Sequence, residues 1–365
     1  MGDESVVTKS GKETHGVDHF FSGLLNKVVK GIAIFSLSLV CVEERHSYPL
    51  QVEQVVRTPA EKEAAKKRKQ KPTKKGKAAP RKKRGRPKGS RNRDKTQVDL
   101  SPELKRIQKM LKKQLAMLPD WVRVRYLALD GHFGNNNALQ MTLQCGLQLI
   151  SKLRYDAALH FVYNGRQNRK GPRKQYGQKI NYRQIKEDYL VESRVKDGIQ
   201  TRVYQAQMLH HEFAQPLNVV ILTKTNLKTG AFANVNLFSS DLELGYEKII
   251  DYYSLRFQIE FNFRDAKQYW GLEDFMNVNE VPVTNAINLS LFMVNLSQVL
   301  LRQFRQAHPN SGILDLKAYF RAAKYFEETI KMLPRKPEPF LLEQIFGQLA
   351  TLGCIHAVNV HPSPS

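Results

Sequence analysis

Residues 126–153 read YLALDGHFGNNNALQMTLQCGLQLISKL, and the order of elements in this stretch decides the fold class. Tyr126 to Asp130 is a short apolar run ending in a carboxylate, and Gly131-His-Phe-Gly134 behind it is turn-forming. Asn135 to Cys145 has helical spacing and is closed by Gly146, while Leu147 to Leu153 is a second apolar run of strand length. Strand, helix, strand predicts a parallel pairing within an α/β sheet. Asp130 then sits at the carboxyl end of a strand, where open α/β sheets collect ligand-binding and catalytic groups. Asp-Gly is also a common turn pair, so Asp130 as a simple turn cap is the competing reading.

Upstream, Ser101-Pro102-Glu103 supplies an N-cap, a first-turn proline and a first-turn acid. Leu104, Ile107, Met110, Leu111, Leu115 and Leu118 follow at helical spacing. Further back, Lys27 to Val42 and Tyr48 to Val56 read as two adjacent strands joined across Glu43-Glu44-Arg45. The most apolar run, Gly31 to Val42, is 12 residues and too short to span a bilayer. Between these strands and the helix lies a segment of another kind. Residues 57–95 hold 19 Lys/Arg against 3 Asp/Glu, whereas the whole chain of 365 residues holds 58 against 34 for a net +24. Such a segment cannot bury a core, and residues 57–99 are expected to be a disordered basic loop whose natural partner is nucleic acid.

Downstream, residues 155–240 change to short runs between polar turns, such as Thr201 to Gln207, Leu217 to Thr223 and Phe232 to Phe238. They predict an antiparallel β region of about 80 residues. From Leu242 the pattern is mostly helical, with Ile287 to Phe304 as an apolar-faced helix. A hydrophobic content of 41% excludes wholesale disorder, and the length leaves room for about two domains. Three scattered cysteines (Cys41, Cys145, Cys354) with no CxxC pair argue against a disulfide framework or structural zinc and suit a reducing compartment. No signal-peptide pattern opens the chain, and a soluble intracellular protein is expected.

Within residues 251–275, Tyr253, Arg256, Glu260 and Lys267 are spaced i, i+3, i+7 and i+14. At about 100° per residue they fall within roughly 60° of one another on a helix. A solvated stripe with ion pairs is the bland reading. The apolar residues Leu255, Phe257, Ile259, Phe261 and Phe263 lie mostly elsewhere. Asp3-Glu4-Ser5, before Val6-Val7, adds a third isolated carboxylate. Three carboxylates from distant points are what a two-metal phosphoryl-transfer site needs.

Asp130-Gly-His-Phe-Gly, followed by Tyr253-x2-Arg256-x3-Glu260-x6-Lys267, resembles the DDE transposases of bacterial insertion sequences, and more narrowly the IS-four group marked by that Tyr-Arg-Glu-Lys spacing. The resemblance covers roughly residues 3–305, and Asp3-Glu4-Ser5 matches the Asp-x-Ser/Thr context of the first acid. It implies an RNase H-like mixed-sheet catalytic domain: residues 1–154, a β-rich insertion at 155–240, then 241–305 with the Glu-bearing helix, and a helical tail at 306–365. It further implies cut-and-paste transposition, with Asp3, Asp130 and Glu260 as catalytic residues holding two Mg2+ (or Mn2+) ions. Tyr253, Arg256, Lys267, Lys152 and Arg154 would bind DNA, the last two through a Ser151-Lys152-Leu153-Arg154 stretch for which ordinary surface charge is the equal alternative. The partners implied are double-stranded DNA (transposon ends and target) and a second copy in a synaptic dimer, in a prokaryotic cytoplasm with the nucleoid. Members of the group carry an N-terminal domain, whereas this chain starts two residues before Asp3 and reads as N-terminally truncated.

Lys83-Arg84-Gly85-Arg86-Pro87-Lys88 resembles an AT-hook core that would place Arg84 and Arg86 in the minor groove, a generic polybasic loop being the alternative. Trp121 and Trp270 are candidates for stacking on an extruded base, with core packing as the plainer expectation. Two other function classes stay open: a transposase remnant that binds DNA without cutting it, and an unrelated RNase H-like nuclease.

Overall fold

The computed structural model describes residues 1–23, 25–59, 61–63, 94–167 and 169–356. Arg84 and Arg86, with most of the basic segment, lie outside the described residues. The chain divides into two compact units, Met1–Val6 with Ile32–Glu260, and Val7–Gly31 with Phe261–Ser365.

The first unit is a mixed α/β structure built on two sheets. One sheet draws on β1 (Gly2–Thr8), β3 (Lys27–Cys41) and β4 (His46–Val55), with β3 pairing both; β2 (Asp18–Ser22) and the Lys27–Gly31 end of β3 belong to the second unit. β3 and β4 are antiparallel from Ala33↔Val55 to Cys41↔His46, the hairpin expected across Glu43-Glu44-Arg45. Helix α1 (Pro102–Met117) starts where the sequence signals it: the Ser101 hydroxyl accepts the Leu104 amide at 3.3 Å, and Pro102 needs no amide partner. Its apolar stripe buries Leu104, Ile107, Met110 and Leu111.

The second sheet begins with β5 (Tyr126–Ala128), continues through α2 (Asn136–Gln144), and returns in β6 (Gln148–Leu153). β5 and β6 run parallel, from Tyr126↔Gln148 to Ala128↔Ile150, as the strand-helix-strand order requires. Beyond β6 the same sheet takes in β7 (Leu159–Val162), β8 (Tyr176–Lys179), β9 (Leu190–Lys196), β10 (Ile199–His210), β11 (Leu217–Asn226) and β12 (Phe232–Ser239). Those pairs are antiparallel, and β12 closes against β6 over Asn236↔Leu153 to Ser239↔Ile150. The outcome is one eight-stranded mixed sheet, an architecture of the RNase H-like kind that is not closed into a barrel. Its core joins Ala128, Ile150, Val203, Val220 and Leu237 to Ile249 of helix α3 (Tyr246–Leu255). Helix α4 (Gln258–Tyr269) carries Glu260 in its first turn.

The far end of the basic segment is fixed within this unit. Lys95 donates through Nζ to the His211 carbonyl at 2.7 Å, and its own carbonyl accepts from Asn136 Nδ2 at 2.8 Å.

In the second unit β2 pairs antiparallel with Lys27–Gly31. Helices α5 (Glu280–Ala307), α6 (Ile313–Met332) and α7 (Pro339–Thr351) meet through a chain of rings, Phe304–Tyr319 at 5.1 Å and Tyr319–Phe346 at 5.6 Å. Among the described residues, α5 is the one helix long and apolar enough to cross a membrane by length and composition, which is weak evidence by itself. Asp315, 1% exposed at its side chain, accepts from the amides of Gly312, Ile355 and His356 and pairs with His356 Nδ1 at 2.9 Å. Burial opposes ionisation, but these donors outweigh it and hold the Asp315 carboxyl down at about 2.

Candidate active site

Asp3 is delivered by β1, where its Oδ1 accepts the Glu4 amide at 2.8 Å. Asp130 follows β5 and caps the single 3-10 turn Gly131–Phe133, its Oδ1 accepting the His132 amide at 3.1 Å. The turn-cap reading therefore holds, and it also aims the carboxylate. The strand end is pinned from β6: the buried Ser151 hydroxyl donates to the Asp130 carbonyl at 2.7 Å. That role was missed in the sequence, where Ser151 reads as part of a phosphate-binding stretch. The signal was its place between Leu149 and Leu153 on one face of β6.

The single helix expected for the Tyr-Arg-Glu stripe is two helices. α3 ends at Leu255 and α4 starts at Gln258, with Arg256 and Phe257 between them in a turn. The chain tightens there: the amides of Arg256, Phe257, Ile259 and Glu260 each reach the carbonyl three residues back, at 3.1–3.2 Å. Such 3-10 bonding keeps the helical path while altering side-chain directions. Phe257, left 51% exposed, marks the irregularity.

Arg256 joins the acids. Nη1 donates to Asp3 Oδ2 at 2.6 Å and Nη2 to Glu260 Oε1 at 3.4 Å. Among the described residues its buried Nε–H has no hydrogen-bond partner. Tyr253 lies beside it, the guanidinium carbon 5.9 Å from the ring centre.

Charges here are crowded. Burial pushes the Asp3 carboxyl up to about 6; Arg256 pulls it down, and the neighbouring Asp130 and Glu260 push it up further. Burial also raises the Tyr253 hydroxyl, with Arg256 opposing and Asp130 and Asp3 adding. On Arg256 burial acts to lower the guanidinium, and Asp3, Tyr253, Glu260 and Asp130 more than offset it. Asp3, Asp130, Glu260, Arg256 and Tyr253 thus form one electrostatic group within the first unit.

The other expected residues are placed differently. Lys152 is exposed on β6, with its side chain beside Gly131. Arg154 is held by Asp156 through Nε at 3.0 Å and Nη2 at 3.1 Å. Lys267 belongs to the second unit and pairs with Glu273 at 3.1 Å. Core packing fails for Trp121, which is 82% exposed. Trp270 is partly buried, its ring covered by Lys317 Nζ at 5.0 Å.

Three carboxylates are an oxygen donor set suited in kind to a hard divalent cation. As placed, no three His, Cys, Asp or Glu side chains among the described residues surround a common point where an ion could sit. The Arg256 guanidinium supplies the positive charge between Asp3 and Glu260 instead.

A family model described as DDE superfamily endonuclease matches residues 1–215, more than half of the chain. No curated protein matches it.

Proposed function

The chain belongs to the DDE superfamily of endonucleases, and from that premise we propose that it is a transposase that cuts and rejoins DNA at the ends of an insertion sequence. The observation that carries the reading is the Arg256 bridge between Asp3 and Glu260, with Asp130 close enough to raise Asp3. One guanidinium thus pairs with two acids 257 residues apart in sequence, and the third, Asp130, acts on Asp3 through its charge.

Asp3, Asp130 and Glu260 would hold divalent cations, Mg2+ or Mn2+, which when bound polarise the scissile phosphate and the attacking oxygen. The residues of the chain do the rest. Arg256 holds the scissile strand and offsets phosphate charge through its guanidinium, which suits phosphate well. Tyr253 orients a phosphate through its hydroxyl, held protonated by burial. Lys152, exposed next to the Asp130 turn, follows the DNA backbone, and Lys267 is assigned to DNA by the family resemblance alone. Arg154 joins it by exchanging Asp156 for phosphate. The IS-four-like mode, a synaptic homodimer and a place with the DNA of a prokaryotic cell belong to the same reading.

The test is metal-dependent cleavage of DNA bearing the transposon ends, comparing wild type with Asp130→Asn. Cleavage should fall by orders of magnitude while DNA binding persists. Undiminished cleavage in the variant would overturn the assignment. The open arrangement of the carboxylates favours a second reading, a chain that binds DNA without cutting it. Binding without cleavage by the wild type would select that reading.

A further inference from the structure

Helix α1 turns a cationic face outward. Taking Lys105 as 0°, Lys109, Lys112 and Lys113 lie at about 40°, −20° and 80°, opposite the buried Leu104, Ile107, Met110 and Leu111. All four lysines are exposed. Lys105 pairs with Asp99 at 3.6 Å; among the described residues Lys109, Lys112 and Lys113 have no carboxylate partner. Lys105–Lys109 and Lys109–Lys113 are i,i+4 neighbours and Lys109–Lys112 are i,i+3. Each like-charge pair destabilises a helix by about 0.2–0.5 kcal/mol. A merely solvated face gains nothing to offset that cost.

Just past α1, Trp121 is 82% exposed, and Arg123 is exposed two residues on. An exposed indole with an exposed arginine two residues on supplies the residue types with which proteins hold nucleic acid. The ridge also continues the basic segment, whose end at Lys95 is anchored six residues before Ser101. From Lys105 to Lys113 the face runs about 12 Å, which spans three to four phosphates of one strand at about 3.4 Å each.

We propose that the outer face of α1 is a DNA-binding ridge, distinct from the carboxylate site, on which Lys109, Lys112, Lys113 and Arg123 hold the phosphate backbone of a duplex and Trp121 packs against it. The proposal rests on DNA being the substrate, and its test separates the two ideas.

Binding of the full chain to a duplex of about 30 base pairs is titrated against salt for wild type, for Lys109→Gln/Lys112→Gln/Lys113→Gln, and for a control triple from exposed strand and turn positions, Lys179→Gln/Lys186→Gln/Lys196→Gln. Each lost phosphate contact takes about 0.9 from the salt slope, so the ridge triple should lose about 2.7. Over a fourfold rise in salt the wild type would then lose about 40-fold more affinity than the ridge triple. The control should change little, and thermal midpoints should agree. In Trp270→Phe, which leaves Trp121 as the lone indole, duplex DNA should quench the fluorescence and salt should restore it. Wild-type binding with equal slopes in the two triples and an unquenched Trp121 would overturn the ridge alone. Quenching by anionic vesicles but not by duplex would overturn it too, in favour of a membrane surface. Failure of the wild type to bind any duplex would overturn both the ridge and the DNA reading it rests on.

Discussion

The Asp3 carboxylate and the Arg256 guanidinium meet at 2.6 Å although 253 residues separate them. Glu260 accepts from the same guanidinium at 3.4 Å, so one cation serves two acids. Asp3 and Glu260 are also two of the three acids proposed to hold divalent cations, so the arginine and the cation draw on the same carboxylates.

Removing that shared cation should be costly. Arg256 is 16% exposed and Asp3 20%, while Glu260 at 42% is screened by water. Losing one partner of a buried pair costs about 3–5 kcal/mol, and exposure on the Glu260 side reduces this to about 2 kcal/mol for Arg256→Ala. The urea midpoint should fall accordingly at unchanged slope. A midpoint within error of wild type would mean the bridge contributes nothing to the fold.

Glu260→Gln should separate chemistry from stability. The pair it gives up is long and exposed, so the midpoint should move by less than about 0.5 kcal/mol. Cleavage with Mg2+ should fall by orders of magnitude, since a neutral amide is a poor ligand for a hard cation. DNA binding, measured alongside, should survive.

Gly134 is required for space. A Cβ there would fall on the Lys152 carbonyl oxygen, backbone that cannot step aside, whereas one on Gly131 meets the same oxygen at 3.5 Å, ordinary contact. Gly134→Ala should destabilise by about 1–3 kcal/mol and impair cleavage by displacing the Asp130 turn. Gly131→Ala should do little, and chemical denaturation of the two variants in parallel would show the contrast.

Acid should loosen the second unit through Asp315. Its carboxyl is held at about 2 against an ordinary value of 3.8. A depressed carboxyl stabilises the fold at pH values above its unfolded pKa and loses that contribution as the pH falls from about 4 toward 2. About 2 kcal/mol is at stake. Asp315→Asn should lower the midpoint at pH 7 and flatten the stability profile between pH 4 and 2. An unchanged profile would mean the His356 and backbone donors do not hold the charge.

Much of this was legible beforehand for local reasons. Ser101-Pro102 marks a helix start through its own hydroxyl and ring, and the run from Tyr126 to Leu153 could pair only in parallel. β2 went unread because Asp18–Ser22 is short and weakly apolar, and its partner Lys27–Gly31 carries two lysines in five residues. The break at Arg256-Phe257 was equally hidden, since no Pro or Gly announces it and helical spacing is nearly the same on either side. Ser151 read as part of a phosphate-contacting stretch, because only the turn after β5 brings the Asp130 carbonyl to it. The exposure of Trp121 ran against its type, as large aromatics are usually covered.

β6 has neighbours of opposite kind: β5 alongside in parallel, β12 against it in antiparallel pairing. Excising residues 155–240 to obtain a smaller enzyme would strip the Ile150–Leu153 flank and leave its amides and carbonyls open to a strand from another molecule. Such a miniature should aggregate from that flank. The later strands are the seal that keeps the Asp130-bearing sheet in solution.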